Sequence, residues 1–295
     1  MISIILPTYN GIEYLKKYSI PSVLKQTFND FELIIVNDGS TDETSSFLNN
    51  LKENDNRVKI INQSNKGLAT SLNKGLEACS GDYIFILEHD DIWLPNKLET
   101  QLSLLKNGTK ICFCKAIEYN TDEKKFKNIN NGNLSCLSFN KEISNILFPL
   151  PLERKYLGIE DGIITARMEI ALAQNILTQD EILNLNQILT IMNTSTLTLS
   201  GEKNCKKMMT RYKAAINLFY KFDNIQEIKK LLTFWRKHHL FNLILYYTPF
   251  TFTKKCLYKL YKHYSDKDKE EKIKEFENKK NDQYNYLLNY RNKFN

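Results

Sequence analysis

Short apolar runs alternate with amphipathic stretches over the first hundred residues. The runs at 2–6, 31–36, 58–62 and 83–87 are rich in β-branched and aromatic residues, and polar or glycine-containing turns bound each of them. This pattern predicts four buried strands. Helical spacing of apolar residues lies between them, as in the stretch 67–79. Regular alternation of strand and helix indicates an α/β fold with a mostly parallel sheet and helices on both faces.

The second hundred residues are less regular. Periodicity predicts helices over 97–105 and 163–177, and strands over 110–116 and 188–199. An asparagine-rich polar stretch at 120–135 predicts a loop or a hairpin that leaves the sheet. From residue 206 onward the pattern is helical.

Charge divides the chain unevenly. Residues 1–100 carry 9 basic and 14 acidic side chains, 101–200 carry 10 of each, and 201–295 carry 22 basic and 10 acidic ones. The basic surplus lies in the last third of the chain, and the first hundred residues are acidic. This distribution argues against a nucleic-acid-binding N-terminal domain, and no nucleic-acid partner is expected. Basic and aromatic residues interleave over 229–262, which predicts either peripheral attachment to an anionic membrane or a helical subdomain whose aromatics form its own core or a dimer contact.

Cysteine usage and hydropathy suggest the compartment. None of the 6 cysteines forms a CxxC pair, which favours reduced thiols in a cytosolic protein over a zinc site or a disulfide framework. The N-terminus leads directly into an apolar strand, so no signal peptide is expected. No apolar run reaches the roughly 18 to 20 residues of a spanning helix. We expect a cytoplasmic protein, at the inner face of the cell membrane if 229–262 binds lipid.

Polar side chains follow every predicted strand of the first hundred residues. They include Thr8, Asp38 and Asn65, and the last strand ends in the acidic run that contains Glu88 and Asp90. The carboxyl ends of strands in an open α/β sheet are where such sheets bind ligands. Oxygen ligands there suit a hard divalent cation that can hold phosphates. The alternative is a solvated acidic turn followed by a helix.

The order of these motifs resembles the family 2 inverting glycosyltransferases of the GT-A fold. The matching segments are IILPTYN at 4–10, IIVNDGSTD at 34–42, NKG at 65–67 followed by SLNKGL at 71–76, and GDYI leading into EHDD at 81–91. The resemblance implies a catalytic domain at 1–200, with a nucleotide-binding half at 1–100 and an acceptor-side half at 101–200. A basic, aromatic-rich helical extension would occupy 201–295.

The resemblance also implies which residues approach the nucleotide. They are Pro7, Thr8, Tyr9, Asp38, Lys66, Gly67 and Asn73. The first three would form the loop that lines the base, and Asp38 would accept a hydrogen bond from the ring N–H of the base. Gly67 would let the backbone approach the ligand closely.

The acidic run occupies the position of the family's D-x-D motif. By resemblance, Glu88 would contact the ribose and Asp90 would coordinate a divalent metal, Mn²⁺ or Mg²⁺, on the diphosphate. This sequence departs from the motif, because Glu88 is one methylene longer than aspartate and His89 stands between the two carboxylates. His89 either contacts the donor phosphate or sugar, or is a hydrogen-bonded histidine beside carboxylates.

Inverting sugar transfer is one in-line displacement, which needs a base for the acceptor hydroxyl and a cation for the leaving diphosphate. The Glu160-Asp161 pair resembles the family's Glu-Asp motif, so Asp161 is the candidate catalytic base and Glu160 the alternative. One of the two could instead cap the helix that begins near Gly162.

The resemblance therefore implies a metal-dependent inverting glycosyltransferase, with a hexose as the expected sugar. It would move the sugar from a nucleotide-diphosphate sugar, preferably a UDP-sugar, to a hydroxyl of a glycan or lipid-linked glycan in bacterial surface polysaccharide or glycoconjugate synthesis. One alternative is a nucleotidyltransferase, although residues 7–17 lack the Gly/Arg/Lys-rich phosphate loop that such enzymes usually have. The other is a catalytically inactive protein that binds nucleotide-sugars.

Overall fold

The computed structural model describes most of the first 194 residues and a C-terminal segment. The described residues are 1–130, 133–152, 160–173, 175–194, 273 and 282–294. They contain nine strands: β1 (Ile2–Thr8), β2 (Phe31–Asn37), β3 (Val58–Asn62), β4 (Tyr83–Ile86), β5 (Ile92–Trp93), β6 (Ile111–Asn120), β7 (Lys125–Asn130), β8 (Leu137–Asn140) and β9 (Ile182–Thr194). Their α-helices are α1 (Ile12–Tyr14), α2 (Ile20–Leu24), α3 (Thr44–Asn54), α4 (Leu68–Glu77), α5 (Lys97–Lys106), α6 (Ser144–Leu147), α7 (Glu160–Ala173) and α8 (Asp282–Asn292).

The strands form one mixed sheet. Its order is β3-β2-β1-β4-β8-β6-β9-β5, and β7 pairs with β6 outside this path. The first four strands of the order are parallel, as the alternating sequence predicts. Beyond them β8 lies antiparallel between β4 and β6, β9 runs parallel to β6, and β5 pairs antiparallel with β9. The sheet is therefore mostly parallel in its N-terminal half and mixed in the other.

Apolar side chains cover both faces of the parallel strands. Ile5 of β1 packs with Leu72 of α4, whereas the neighbouring Ile4 packs in the opposite cluster with Leu48 of α3. An added Cβ at Gly75 of α4 would overlap the side chain of Ile5, so this helix lies close against β1. Burial on both faces explains why these strands read as continuous apolar runs.

Two predicted elements of the second hundred residues differ in extent. The strand predicted at 188–199 is described as β9 from Ile182 to Thr194, because the alternating residues 182–187 extend its pairing with β6 toward the N-terminus. The helix predicted at 163–177 is α7, and it begins at Glu160. The asparagine-rich stretch supplies β7, the hairpin partner of β6.

The last described helix, α8, packs on the sheet. Leu287, Tyr290 and Phe294 join a buried cluster that also contains Tyr18 and Tyr119. The basic-aromatic segment 229–262 lies outside the described residues, so its membrane contact and the domain division at residue 200 stay predictions. Within the described part of the chain, every helix is too short or too polar to cross a membrane.

A buried carboxylate organises the amino end of the sheet, opposite the strand ends with ligand-binding chemistry. Glu32 of β2 accepts hydrogen bonds from Ser3 Oγ at 2.5 Å and from Ser80 N at 2.6 Å, and it pairs with Lys59 Nζ at 2.6 Å. Burial alone would raise the pKa of Glu32, but the bonds from Lys59, Ser3 and Ser80 outweigh it and lower the pKa to about 2.

We expect Glu32→Gln to lower the free energy of unfolding near neutral pH by roughly 2 to 3 kcal/mol. The folded pKa lies below the unfolded value, so the stabilisation is complete above the unfolded pKa of 4.5 and disappears as the pH falls toward 2. Urea unfolding of both proteins across this range measures the difference. Asp30→Asn, an exposed change at the same end of the sheet, is the control. A difference that stays constant with pH would contradict the assignment.

Candidate active site

The loops that follow β1 and β2 are joined at the carboxyl end of the sheet. Asp38 N donates to Thr8 O at 2.9 Å, and Thr41 N donates to Asn10 Oδ1 at 2.7 Å. Asn10 adopts a positive φ of 47°, which an asparagine tolerates better than most residues. Pro7 and Thr8 are buried at the end of β1, while the Tyr9 side chain is 45% exposed. The exposed Tyr9 ring is therefore accessible to a ligand at this edge of the sheet.

Asp38 fixes the loop that precedes α4. Its Oδ1 accepts hydrogen bonds from Gln63 Nε2 at 2.7 Å and Lys66 N at 2.8 Å, and its Oδ2 accepts one from Gly67 N at 2.8 Å. Gly67 has a φ of 89°, a conformation that side chains disfavour. The sequence predicted Asp38, Lys66 and Gly67 as separate nucleotide contacts. They form one structural unit, with the Lys66 side chain exposed.

Asn73 of α4 bonds a segment that is distant in the chain. Its Nδ2 donates to Leu150 O at 2.9 Å, and its Oδ1 accepts from Leu150 N at 2.7 Å. Both ends of the amide therefore hold the backbone of the segment that follows α6. Asn73 therefore positions this segment, and its contact with the nucleotide stays a prediction.

His89 lies beside the end of β1. A Cβ added to Gly11 would lie 2.6 Å from Thr8 Oγ1 and 3.0 Å from His89 Cδ2, so the absence of a side chain at Gly11 makes room for both. The His89 ring also packs on Tyr14, with centroids 5.6 Å apart. Thr8 Oγ1 is buried without a hydrogen-bond partner among the described residues. Gly11 was not singled out in the sequence, where the matched motif ends at Asn10.

An asparagine from a distant segment bridges two carboxylates of the acidic run. Asn133 Nδ2 donates to Glu88 Oε2 at 2.8 Å and to Asp91 Oδ2 at 3.0 Å, while Ser135 Oγ accepts a bond from Glu88 N at 2.9 Å. Sequence reasoning missed Asp91, Asn133 and Ser135 as parts of the site. The asparagine-rich composition around residue 133 indicated a loop but carried no signal that it returns to β4.

The acidic run concentrates negative charge. Burial raises the pKa of Glu88 well above its usual range, and the neighbouring charges of Asp91, Asp90, Asp161 and Glu160 raise it further. Burial, then the charge of Asp90, raises the pKa of Asp91 to about 8. Across the described residues, no salt bridge involves Glu88, Asp90 or Asp91.

These carboxylates fit a divalent cation only as a partial ligand set. The described residues contain no group of three or more His, Cys, Asp or Glu side chains arranged to enclose a metal ion. A cation that takes one or two carboxylates together with the phosphates of a ligand is compatible with this arrangement, and Mg²⁺ is commonly bound in that way. A cation bound here would favour the ionised forms of Glu88 and Asp91, which burial and the neighbouring carboxylates disfavour.

The first turn of α7 brings two further carboxylates toward the acidic run. Glu160 is 2% exposed, whereas Asp161 is exposed and its Oδ1 accepts a bond from Gly162 N at 2.8 Å. Arg167 of the same helix donates to Pro149 O at 2.7 Å, which ties α7 to the segment that Asn73 holds. The charges of Glu160 and Asp161 both raise the pKa of Glu88, so the first turn of α7 acts electrostatically on the acidic run.

The sequence model of the family described as glycosyl transferase family 2 matches residues 3–168 of the chain. A curated relative from Rickettsia bellii named as an uncharacterized glycosyltransferase is 36% identical over 151 residues, which are 51% of this chain and 22% of the relative. A UDP-Glc:alpha-D-GlcNAc-diphosphoundecaprenol beta-1,3-glucosyltransferase of Escherichia coli is 42% identical over 115 residues, 38% of this chain and 44% of the relative. The matches thus span less than half of the length of these curated relatives.

Solved structures resemble the whole fold. S. aureus TarS in complex with UDP-GlcNAc has a TM-score of 0.60 and 16% identity over 84% of this chain and 76% of the other. A mannosyltransferase from Pyrobaculum calidifontis in complex with GDP-Man and Mn²⁺ has a TM-score of 0.56 and 14% identity, over 99% of this chain and 84% of the other. At such low identity the likeness concerns the fold, and it confirms the GT-A architecture expected from the sequence.

We expect Asp38→Asn to loosen the loop before α4 without unfolding the protein. An amide has one acceptor oxygen, so it cannot accept all three bonds that the carboxylate receives. Hydrogen exchange at the amides of Lys66 and Gly67 should accelerate by about tenfold, since a bond to a charged acceptor contributes about 1.5 kcal/mol or more.

The matched control is Asp42→Asn, because Asp42 accepts bonds from Ile12 N at 3.3 Å and Thr44 N at 3.1 Å at the same end of the sheet. This variant should leave exchange at Lys66 and Gly67 unchanged. Equal acceleration in both variants would show that the loop responds to general loss of stability.

Proposed function

The chain belongs to glycosyl transferase family 2, and from this membership we propose that it transfers a sugar with inversion from a nucleotide-diphosphate sugar to an acceptor hydroxyl. One observation carries the proposal. The carboxylates after β4 lie at the carboxyl end of a parallel strand, and the two carboxylates at the start of α7 add to the electrostatic rise in the pKa of Glu88. A donor diphosphate and an acceptor can therefore meet between a cation-binding edge and a base.

The donor nucleotide would bind over the joined loops of β1 and β2. Tyr9 supplies an exposed ring beside the base, and the buried hydroxyl of Thr8 has an unused donor and acceptor. Asp38 holds the backbone of Lys66 and Gly67 in place, and the remaining lone pair of Oδ2 can accept the ring N–H of the base. The Lys66 side chain is free to approach the donor phosphates from solvent.

The acidic run would bind the diphosphate end of the donor. We assign Asp90 as the metal ligand and Glu88 as a contact to the ribose or to a water in the metal shell. A divalent cation, Mn²⁺ or Mg²⁺, would stabilise the negative charge that develops on the leaving diphosphate. His89 packs between Gly11 and Tyr14, from where its ring can donate to the donor phosphate or sugar.

Asp161 would remove the proton from the acceptor hydroxyl as that oxygen attacks the anomeric carbon. Its exposure lets an acceptor reach it. Glu160 is enclosed by protein at the same turn and is the alternative base. One base is sufficient for a single displacement, so the other carboxylate remains available for positioning α7.

The donor and acceptor classes rest on relatives. The Escherichia coli relative is named for UDP-Glc and a diphosphoundecaprenol acceptor, and TarS was crystallised with UDP-GlcNAc. These names support a UDP-hexose donor and a lipid-linked glycan acceptor, in bacterial surface polysaccharide or glycoconjugate synthesis. Attachment to the inner face of the membrane through 229–262 belongs to the same proposal.

The first test is a screen of nucleotide-sugars with Mn²⁺ and with Mg²⁺. We expect a UDP-sugar to raise the melting temperature in the presence of either metal, because a ligand that binds only the folded state stabilises it. Turnover should release a nucleoside diphosphate. Release of pyrophosphate would instead identify a nucleotidyltransferase, and binding without turnover toward any acceptor would identify an inactive nucleotide-sugar-binding protein.

The second test concerns the base and the metal ligand. Asp161→Asn should lower kcat by about a hundredfold or more, the usual contribution of a general base, with nucleotide affinity retained. Asp90→Ala should remove metal-dependent turnover and weaken Mn²⁺ binding. Glu160→Gln should keep most of the rate if Asp161 is the base.

Asp82→Asn is the control for this series, since it changes an exposed carboxylate at the opposite end of the sheet. It should have wild-type kinetics. Retained turnover in both Asp161→Asn and Asp90→Ala would refute these assignments, while loss of rate in Glu160→Gln alone would move the base to Glu160.

A further inference from the structure

A fully buried guanidinium connects the C-terminal helix to the catalytic half of the chain. Arg291 of α8 is 1% exposed. Its Nε donates to Asn193 Oδ1 at 2.8 Å and its Nη2 donates to Tyr18 OH at 3.1 Å. The guanidinium also lies 4.6 Å from the ring centroids of both Tyr18 and Tyr119. Burying a cation is costly, so this number of partners indicates a specific position for the side chain.

Asn193 continues the connection to the acidic run. It lies near the end of β9, and its Nδ2 donates to the backbone carbonyl of Asp90 at 2.5 Å. The pairing of Ile191 with Ile92 brings this end of β9 beside the chain that leaves the acidic run. One amide therefore links α8 to the residue assigned as the metal ligand.

Arg291 also determines which way the Asn193 amide points. An arginine side chain donates hydrogen bonds and accepts none, so the oxygen of the amide must face Nε. The amide nitrogen is then left to donate to Asp90 O, which can only accept. Without the guanidinium, the amide of Asn193 loses the partner that selects this orientation.

A second set of contacts runs from the same guanidinium to His89. Tyr18, on which Arg291 stacks, lies on the π-helical turn Leu15–Ser19, and its ring centroid is 6.1 Å from that of Tyr14. Tyr14 in turn packs on His89 at 5.6 Å. Both sets of contacts end in adjacent residues, His89 and Asp90.

We propose that Arg291 is a positioning residue that, through Asn193, holds the backbone of the acidic run 88–91 in the conformation used for metal and donor binding. The effect of Arg291 on metal and donor binding rests on the proposed function. Its effect on the backbone conformation of residues 88–91 does not. The helix α8 then forms part of the catalytic unit, although it lies more than a hundred residues beyond the region that the family model matches.

Hydrogen exchange in metal-free protein tests the link without relying on activity. Asp91 N donates to Glu88 O at 3.2 Å and Glu88 N donates to Ser135 Oγ, so both amides report on the acidic run. Arg291→Met should accelerate exchange at these two amides by about tenfold relative to wild type, the size expected for loss of a charged hydrogen bond. Mn²⁺ affinity, followed by electron paramagnetic resonance with UDP present, should fall by about tenfold or more.

Tyr290→Phe is the matched control. It removes the bond from Tyr290 OH to Trp93 O at 3.2 Å, so it weakens the docking of the same helix without touching Asn193. This variant should lower the melting temperature but leave exchange at Glu88 and Asp91, and Mn²⁺ affinity, at the wild-type level. Equal acceleration in Tyr290→Phe and Arg291→Met would overturn the proposal, because Arg291 would then act only by holding α8.

Asn193→Ala gives an independent test that keeps Arg291 stacked on Tyr18 and Tyr119, and it decides the question if Arg291→Met does not fold. It should accelerate exchange as much as Arg291→Met, and the double variant should add nothing further. Full additivity of the two changes, or no acceleration in Asn193→Ala, would overturn the proposal. If the wild type binds no Mn²⁺ and transfers no sugar, the proposed function fails, while the exchange result still decides the positioning role.

Discussion

The burial of like charges after β4 is the constraint on which the rest of the structure depends. Glu88 and Asp91 lose hydration and repel each other, and both accept a bond from the single amide nitrogen of Asn133. A folded domain is stable by only about 5 to 15 kcal/mol, so such a cluster persists only on a scaffold that is stabilised elsewhere. Strands β1, β2 and β4 provide that scaffold, because apolar side chains pack on both of their faces.

The two ends of this sheet treat carboxylates in opposite ways. Glu32 at the amino end has hydrogen bonds and a lysine that outweigh its burial and lower its pKa, whereas Glu88 at the carboxyl end has neighbouring carboxylates that raise its pKa. The residue type is the same, so the surroundings decide the outcome. A carboxylate with donor and cation partners, such as Glu32, stabilises the fold. A carboxylate beside other carboxylates, such as Glu88, favours binding of a proton or a cation.

The sequence predicted the parts of the site that are local in the chain. Asp38 and Asp90 each lie two or three residues after the end of an apolar run. The carboxyl ends of parallel strands must meet at one edge of the sheet. Asn133, Asn193 and Arg291 could not be found in this way, because each bonds a partner that is 42 to 103 residues away along the chain. These partners are Asp91, Asp90 and Asn193. Such pairings depend on the register of β9 and the docking of α8, which no local period encodes.

The departure of Glu88 from aspartate is explained by its partner. The longer side chain places Oε2 within 2.8 Å of Asn133 Nδ2, next to Asp91, so part of its length is used in reaching back toward the protein. Asp90 has no such bond from Asn133. Its backbone carbonyl instead accepts a hydrogen bond from the Asn193 side chain. In the proposed reaction the carboxylate of Asp90 is therefore the one that faces the donor diphosphate. With glutamate at the first position of the motif, Asp90 is still available as the proposed metal ligand, because Asn193 holds its backbone.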